Sequence, residues 1–215
     1  MDAVIDNLPL YLQAFLGTLS LILWSAPLAL IIGTIIGAMR ISPVASLRAL
    51  ATTYTELLRN TPLTLVLFFC AFVVPYLEFS PGYFVLAVIG LTAYTSPFVA
   101  EAIRSGVNGV PVGQAEAARS IGMSFGQTLS LVVLPQAIRM VIPPLINVFI
   151  ALTKNTSVAG GFFVFELFAA AKEIANNRGD EVIAVLMGVA FFYLIISVPL
   201  GIFAGRIEKK VAVLR

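Results

Sequence analysis

Four stretches of this 215-residue chain, 7–39, 60–77, 79–100 and 182–205, contain no charged residue. Roughly 20 apolar residues suffice to cross the hydrocarbon core of a bilayer as a helix, so each stretch reads as a membrane span. A fifth, 140–158, is interrupted only by Lys154. Charged residues make up 11% of the chain, against about 25% in a soluble domain. That is too little charge to coat a globule of this size in water, and the surface must face lipid. Asp2 and Asp6 precede the first apolar stretch with no early Lys or Arg, so this stretch is expected to remain as a span, not to be removed as a secretory signal.

The chain has no histidine and a single cysteine. Ser-His and Cys-His catalysis, histidine-ligated metal and an internal disulfide are therefore excluded. Cys70 lies in an apolar run and reads as core packing. A formal charge of +2 is too small for a nucleic-acid partner.

Hydropathy leaves the uncharged stretch 121–138 ambiguous, because it also holds Gly122, Ser124, Gly126, Gln127, Thr128, Ser130, Pro135 and Gln136. Counting it gives six spans; omitting it gives five. With five, Arg40, Arg48, Arg59, Arg104, Arg119, Arg139, Arg206, Lys209, Lys210 and Arg215 share one face, and only Lys172 and Arg178 lie on the other. Cytoplasmic loops carry the excess of Lys and Arg, so five spans are expected. The N-terminus is then outside and the C-terminus cytoplasmic. The spans are placed at about 11–39, 55–77, 83–104, up to about 165 for the fourth, and 182–205. A turn at 78–82 and a loop between spans four and five lie on the outer side. No internal repeat is evident, which argues against a complete inverted-repeat carrier.

The segment between spans three and four, about 109–135, is long for a connection inside a compact membrane domain, and such segments are usually functional. Local chemistry makes it a pair of short helices. Pro111 is suited to open the first, and Gly122 to the left-handed residue that ends it. Ser124 and Gln127 form a capping box for the second, and Pro135 is expected to break it before the next span. Ala117 and Ala118 leave the first helix a small, smooth face that another protein can approach closely.

The pattern Glu116-Ala117-Ala118, three residues, Gly122, nine residues, Val132-Val133-Leu134-Pro135 resembles the EAA motif of ABC-type importer permeases, with Val132 where that motif has isoleucine. Gly17-Thr18-Leu19, Arg59-Asn60-Thr61-Pro62-Leu63, Gly113-Gln114, Leu134-Pro135-Gln136, Pro143-Pro144-Leu145 and Lys154-Asn155-Thr156-Ser157 extend the resemblance in order along nearly the whole chain. They are similar to the polar amino acid branch (histidine, glutamine and glutamate permeases), and most to the glutamate-uptake permeases of actinobacteria. The resemblance implies an all-α integral membrane protein that is one permease domain over 1–215, multi-pass in the bacterial cell membrane. It implies that Glu116, Ala117, Ala118, Gly122, Leu134 and Pro135 couple it to a cytoplasmic ATP-binding subunit present in two copies. A second homologous permease, expected as a heterodimer partner, and an extracytoplasmic amino acid-binding protein complete the assembly. ATP and magnesium are expected on the ATP-binding subunit, since this chain has no phosphate-binding loop of the G-x-x-x-x-G-K-[ST] kind and needs no cofactor of its own.

Candidates for the substrate path are Lys154, Asn155, Thr156, Ser157, Val148, Arg59 and Thr61. An intramembrane cation is costly, about 2.5–3.5 kcal/mol on insertion scales, so Lys154 should face the bundle interior or water. Its polar neighbours either line the path at the interface with the second permease or form a structural cluster, with Lys154 paired to a carboxylate such as Glu166. Some relatives that carry cationic amino acids have acidic residues where this chain has Val148 and Asn155. Without those charges a pocket tolerates a carboxylate better, so the expected substrate is acidic or neutral, with glutamate first. Arg59 and Thr61 are read as a gate or helix-bend element, or as interfacial anchoring. A secondary transporter or channel working without an ATPase is the competing reading, and deletion of the EAA segment would leave such a protein active.

Overall fold

The computed structural model describes residues 2–212. Arg215, counted above on the basic face, lies outside the described residues, as do the side chains of Asp2 and Lys210. Among the described residues there is no strand. A short α1 (Asp2–Asp6) leads into α2 (Leu8–Arg40), which is followed by α3 (Ala45–Arg59), α4 (Leu63–Tyr76), α5 (Tyr83–Asn108), α6 (Val112–Ser120), α7 (Phe125–Ala159), α8 (Leu167–Asn177) and α9 (Val182–Ala212). Helices α2, α5, α7 and α9 are long and apolar enough to cross a bilayer. The fifth expected span is not one straight helix. Its two parts, α3 and α4, meet at 99°.

The bend follows from Thr61-Pro62. A residue before proline is pushed out of the helical region, and Pro62 takes an extended ψ of 138°. Thr61 closes the helix behind it by donating its hydroxyl to Leu57 O at 2.8 Å. The candidate fifth span is therefore the bent pair α3–α4 and not a straight helix from near 55, with α3 amphipathic and α4 apolar. Thr61 is thus a helix-bend residue.

Two helices contain a wider turn with i→i+5 bonding, Phe69–Val73 in α4 and Thr128–Val133 in α7. Each is followed at its second α-helical residue by a proline, Pro75 and Pro135. A proline ring clashes with the carbonyl one α-turn back and lacks an N–H, and a π turn relaxes both demands by lengthening the loop it closes. Pro135 consequently does not break the chain before span four. The expected second short helix is the first turns of α7, which runs unbroken to Ala159.

The segment expected as an outer loop also differs, because it contains α8. Leu167, Ala170, Ala171 and Ile174 recur at helical spacing and are all buried, against Tyr11, Val185 and Phe192. Tyr11 stacks on Phe192 with ring centroids 5.5 Å apart and donates its hydroxyl to Val185 O at 3.0 Å. A second cluster of Leu21, Leu63, Leu67, Leu91 and Leu152 ties α2, α4, α5 and α7 together. Along the α2–α5 seam the backbones are close: a Cβ on Gly33 would lie 2.5 Å from Val99 Cβ and 2.6 Å from Ser96 O.

Candidate functional site

The corner between α6 and α7 is built as two interlocked caps. Met123 N–H donates to Ala118 O at 3.2 Å and Gly122 N–H to Arg119 O at 3.0 Å, the pair of bonds of a Schellman stop. Gly122 supplies the positive φ of 88° that this stop needs. Directly after it, Ser124 N–H donates to Gln127 Oε1 at 2.9 Å and Gln127 N–H to Ser124 Oγ at 3.3 Å, a complete capping box. The elbow is thus rigid and self-satisfied. Glu116, Ala117, Ile121, Gly122, Phe125, Leu134 and Pro135 are exposed around it. Ala118 is the exception to the expected smooth outer face, because it is buried.

A cavity of about 400 Å³ lies between α5 and α7, lined by Tyr94, Thr95, Phe98, Asn147, Val148, Ala151 and Asn155. Of the sequence candidates it gathers Val148 and Asn155. No acidic or basic side chain lines it. The Thr95 hydroxyl, buried, has no hydrogen-bond partner. Lys154 is exposed and does not line this cavity, although it follows Asn147 and Ala151 at i+7 and i+3 on the same side of α7. Ser157 donates to Lys154 O at 2.7 Å and borders a second groove of about 370 Å³ with Thr64, Gly161 and Phe168. Thr156 is fully buried and donates to Thr153 O at 2.7 Å.

The pairing of Lys154 with Glu166 is not formed. Glu166 is fully buried, and both of its oxygens are occupied: Oε1 accepts from Ala169 N–H at 2.8 Å and Oε2 from the Tyr193 hydroxyl at 2.9 Å. Burial pushes its carboxyl up from the usual range, against these bonds, which pull it down. Its role is to cap α8 and tie it to α9. Thr18, in the Gly17-Thr18-Leu19 stretch, completes the tie by accepting from Leu167 N–H at 3.2 Å.

Sequence reasoning missed a charged cluster at the bend. Glu101 accepts from Arg40 and from Arg104, and Arg59 Nη1 lies 3.4 Å from its Oε2. Glu56 is a distant fourth partner, 3.9 Å from Arg40. The Arg40 side chain is only 9% exposed, and its Nε–H finds no acceptor. The Arg59 guanidinium also stands 5.6 Å from the centroid of Phe98, a cation–π contact. The one sequence signal for this cluster is Glu101 with Arg104 at i, i+3 near the end of an apolar span.

Comparison with known proteins decides the family. Residues 8–213 match the binding-protein-dependent transport system inner membrane component family. The chain belongs to that family. It is an inner-membrane permease subunit, multi-pass and without catalytic chemistry of its own, and the reading as a carrier or channel standing alone is set aside. This permease is 43% identical to the glutamate transport system permease protein GluC of Corynebacterium glutamicum, over 95% of each chain. It is 37% identical to a probable glutamine ABC transporter permease protein, GlnM, of Bacillus subtilis, over 98% of this chain and 97% of that one. Among solved structures, an amino acid ABC transporter crystallised with histidines superposes with a TM-score of 0.89 at 26% identity, covering 96% of both chains. The inward-facing MetNI methionine transporter shares the fold, with a TM-score of 0.75 at 20% identity over 96% of this chain and 98% of that one.

Proposed function

We propose that this permease carries a polar α-amino acid, glutamate first, inward across the membrane, driven by ATP-binding subunits that grip the α6–α7 elbow. The observation that carries the reading is the elbow itself. Two interlocked caps fix its angle, and the exposed Glu116, Ala117, Ile121 and Phe125 present a firm mixed surface, as a lever requires. Because α7 continues unbroken from the elbow to Ala159, a push on Gly122 is delivered directly to the helix that lines the cavity.

In this reading the basic ends of α2, α5 and α9 face the cytoplasm and the N-terminus faces outward, as the charge asymmetry requires. The unit 1–215 acts as one domain, with 109–135 as its coupling segment. Two ATP-binding subunits hold the ATP and magnesium; a second permease faces the α5–α7 cavity, and a binding protein delivers substrate from outside. Glutamate is favoured by the naming of the relatives and by a cavity free of carboxylates, which would repel its side chain. Asn147 and Asn155 offer amide donors and acceptors there. Of that stretch Val148 and Asn155 line the cavity and are proposed for the path, while Lys154, Thr156 and Ser157 do not line it.

The test is co-purification and uptake with Glu116→Lys plus Gly122→Asp. The variant should insert normally yet lose the ATP-binding subunit and radiolabelled glutamate uptake. Intact co-purification with full uptake would remove the elbow from the mechanism, and preference of the wild-type complex for arginine over glutamate would reject the substrate class.

A further inference from the structure

The cluster below the cavity has more donors than it can satisfy. Three guanidinium groups, each with five N–H donors, converge on the two oxygens of Glu101, with Glu56 reaching only Arg40. Counting both acids, the cluster keeps a surplus positive charge. Arg40 Nε–H is buried with no acceptor at all. A site short of acceptors and long in positive charge is a site for an anion.

The three arginines are not held equally. Arg40 and Arg104 hydrogen-bond Glu101 closely, whereas Arg59 stands off at 3.4 Å and is 35% exposed. Arg59 is therefore the guanidinium most easily turned to another partner. It is also the one next to the cavity, since its charge rests on the Phe98 ring, and Phe98 lines the cavity with Tyr94. Tyr94, Phe98 and Glu101 follow one another at i, i+4 and i+7 on one face of α5, a descent of roughly 10 Å. A solute leaving the cavity along this face meets Phe98 first and the Arg59 guanidinium next.

We propose that Arg59 is the exit-side receptor for the substrate's α-carboxylate, with Glu101 as the resident carboxylate whose place it takes. The inference rests on the amino-acid importer reading above. The group recognised is the α-carboxylate, not the side-chain acid, because it is common to acidic and neutral amino acids and the cavity above has no charge with which to orient a glutamate side chain. Bidentate pairing with the planar guanidinium holds the solute until the ion pair with Glu101 re-forms and releases it. Arg59 thus sets which end of the amino acid leads.

The experiment uses the complete complex in nanodiscs, without nucleotide, and compares binding of glutamine, which has a free α-carboxylate, with isoglutamine, in which that carboxylate is an amide. The wild type should prefer glutamine by about 10–100-fold, the equivalent of one charge-assisted pair. Arg59→Gln should bring the ratio close to one, and Arg59→Lys should restore part of it. Glu101→Gln, which removes the competing carboxylate, should tighten glutamine binding. A purely structural arginine would weaken both ligands together and leave the ratio intact, and that result overturns the proposal. If Arg59→Gln does not insert, an unchanged ratio in Arg59→Lys overturns it equally. Failure of this inference is distinguishable from failure of the importer reading, because wild-type vesicles would still accumulate amino acid in the first case and none in the second.

Discussion

Tyr193 donates its hydroxyl proton to the Glu166 carboxyl across 2.9 Å, joining the last span to the start of the helix that precedes it. The other Glu166 oxygen caps that helix at Ala169 N–H, so one buried side chain holds two elements. Tyr193→Phe should cost about 1.5–3 kcal/mol, the range for a hydrogen bond to a charged group. Glu166→Ala should cost more, because it removes the carboxyl acceptor of the Tyr193 hydroxyl and also strips a helix cap, itself about 0.5–2 kcal/mol. Melting of the detergent-solubilised complex, followed by size-exclusion fluorescence, ranks the two. The tie is misassigned if the tyrosine change is the more damaging.

The α2–α5 seam makes a sharper prediction. Gly33→Ala puts a methyl against Val99 and Ser96 O, and the backbone oxygen cannot move aside. An overpacked core costs about 1–3 kcal/mol, so the melting temperature should drop by several degrees. Gly201→Ala, in a span but with open space around it, should be neutral or stabilising, since alanine is the better helix former. Equal effects at the two positions would show that helix propensity, not contact, controls this seam.

Cys70 is buried in the π turn of α4, against the position where a Gly90 side chain would begin. A membrane-permeant maleimide should leave it unlabelled in the folded complex and label it fully after denaturation. Gly90→Ala crowds the thiol and the Leu67 side chain and should raise labelling of the native protein. Rapid labelling of the wild type would mean that α4 opens at this turn.

At the elbow, Gly122 has positive φ and empty space around it, so a side chain there meets strain without collision. Gly122→Ala should cost about 1–2 kcal/mol from the left-handed conformation alone. Gly122→Asn should cost less, because asparagine tolerates that region. Hydrogen exchange over 112–120 should accelerate in the order wild type, Asn, Ala, with no change in the buried face of α8.

What the sequence made legible was set by strong, local rules. Charge-free runs located α2, α5 and α9, falling about two turns short of the ends of the latter two. The basic asymmetry pointed to five spans, where four are single helices and the fifth would be the bent α3–α4 pair. The elbow was readable in detail because its caps depend on neighbours in sequence: Gly122, Ser124 and Gln127 sit where their local bonds require. The misses were non-local or opposed by a second rule. Pro135 reads as a breaker until a π turn accommodates it. Leu167 to Ile174 has the period of a buried helix, but it is short, and Glu166 before it and Lys172 and Glu173 within it read as loop. Glu101 takes partners from three helices, and only Arg104 lies near it in the chain. Lys154 drew attention as the one charge in its expected span, whereas the cavity is lined by its uncharged neighbours Val148, Ala151 and Asn155.

The π turn at Thr128–Val133 has a consequence for how this chain tolerates changes in length. A π turn holds one residue more than an α turn closing the same gap. Deleting a single residue from 128–133 therefore reverts the stretch to ordinary helix, while the cavity-lining positions beyond keep their bearing relative to the elbow. The same deletion placed after Pro135 swings every later position of that span by about 100° and turns Asn155 out of the cavity. Insertions and deletions among relatives of this permease should accordingly collect at the widened turn, the one stretch of the lever with slack in it.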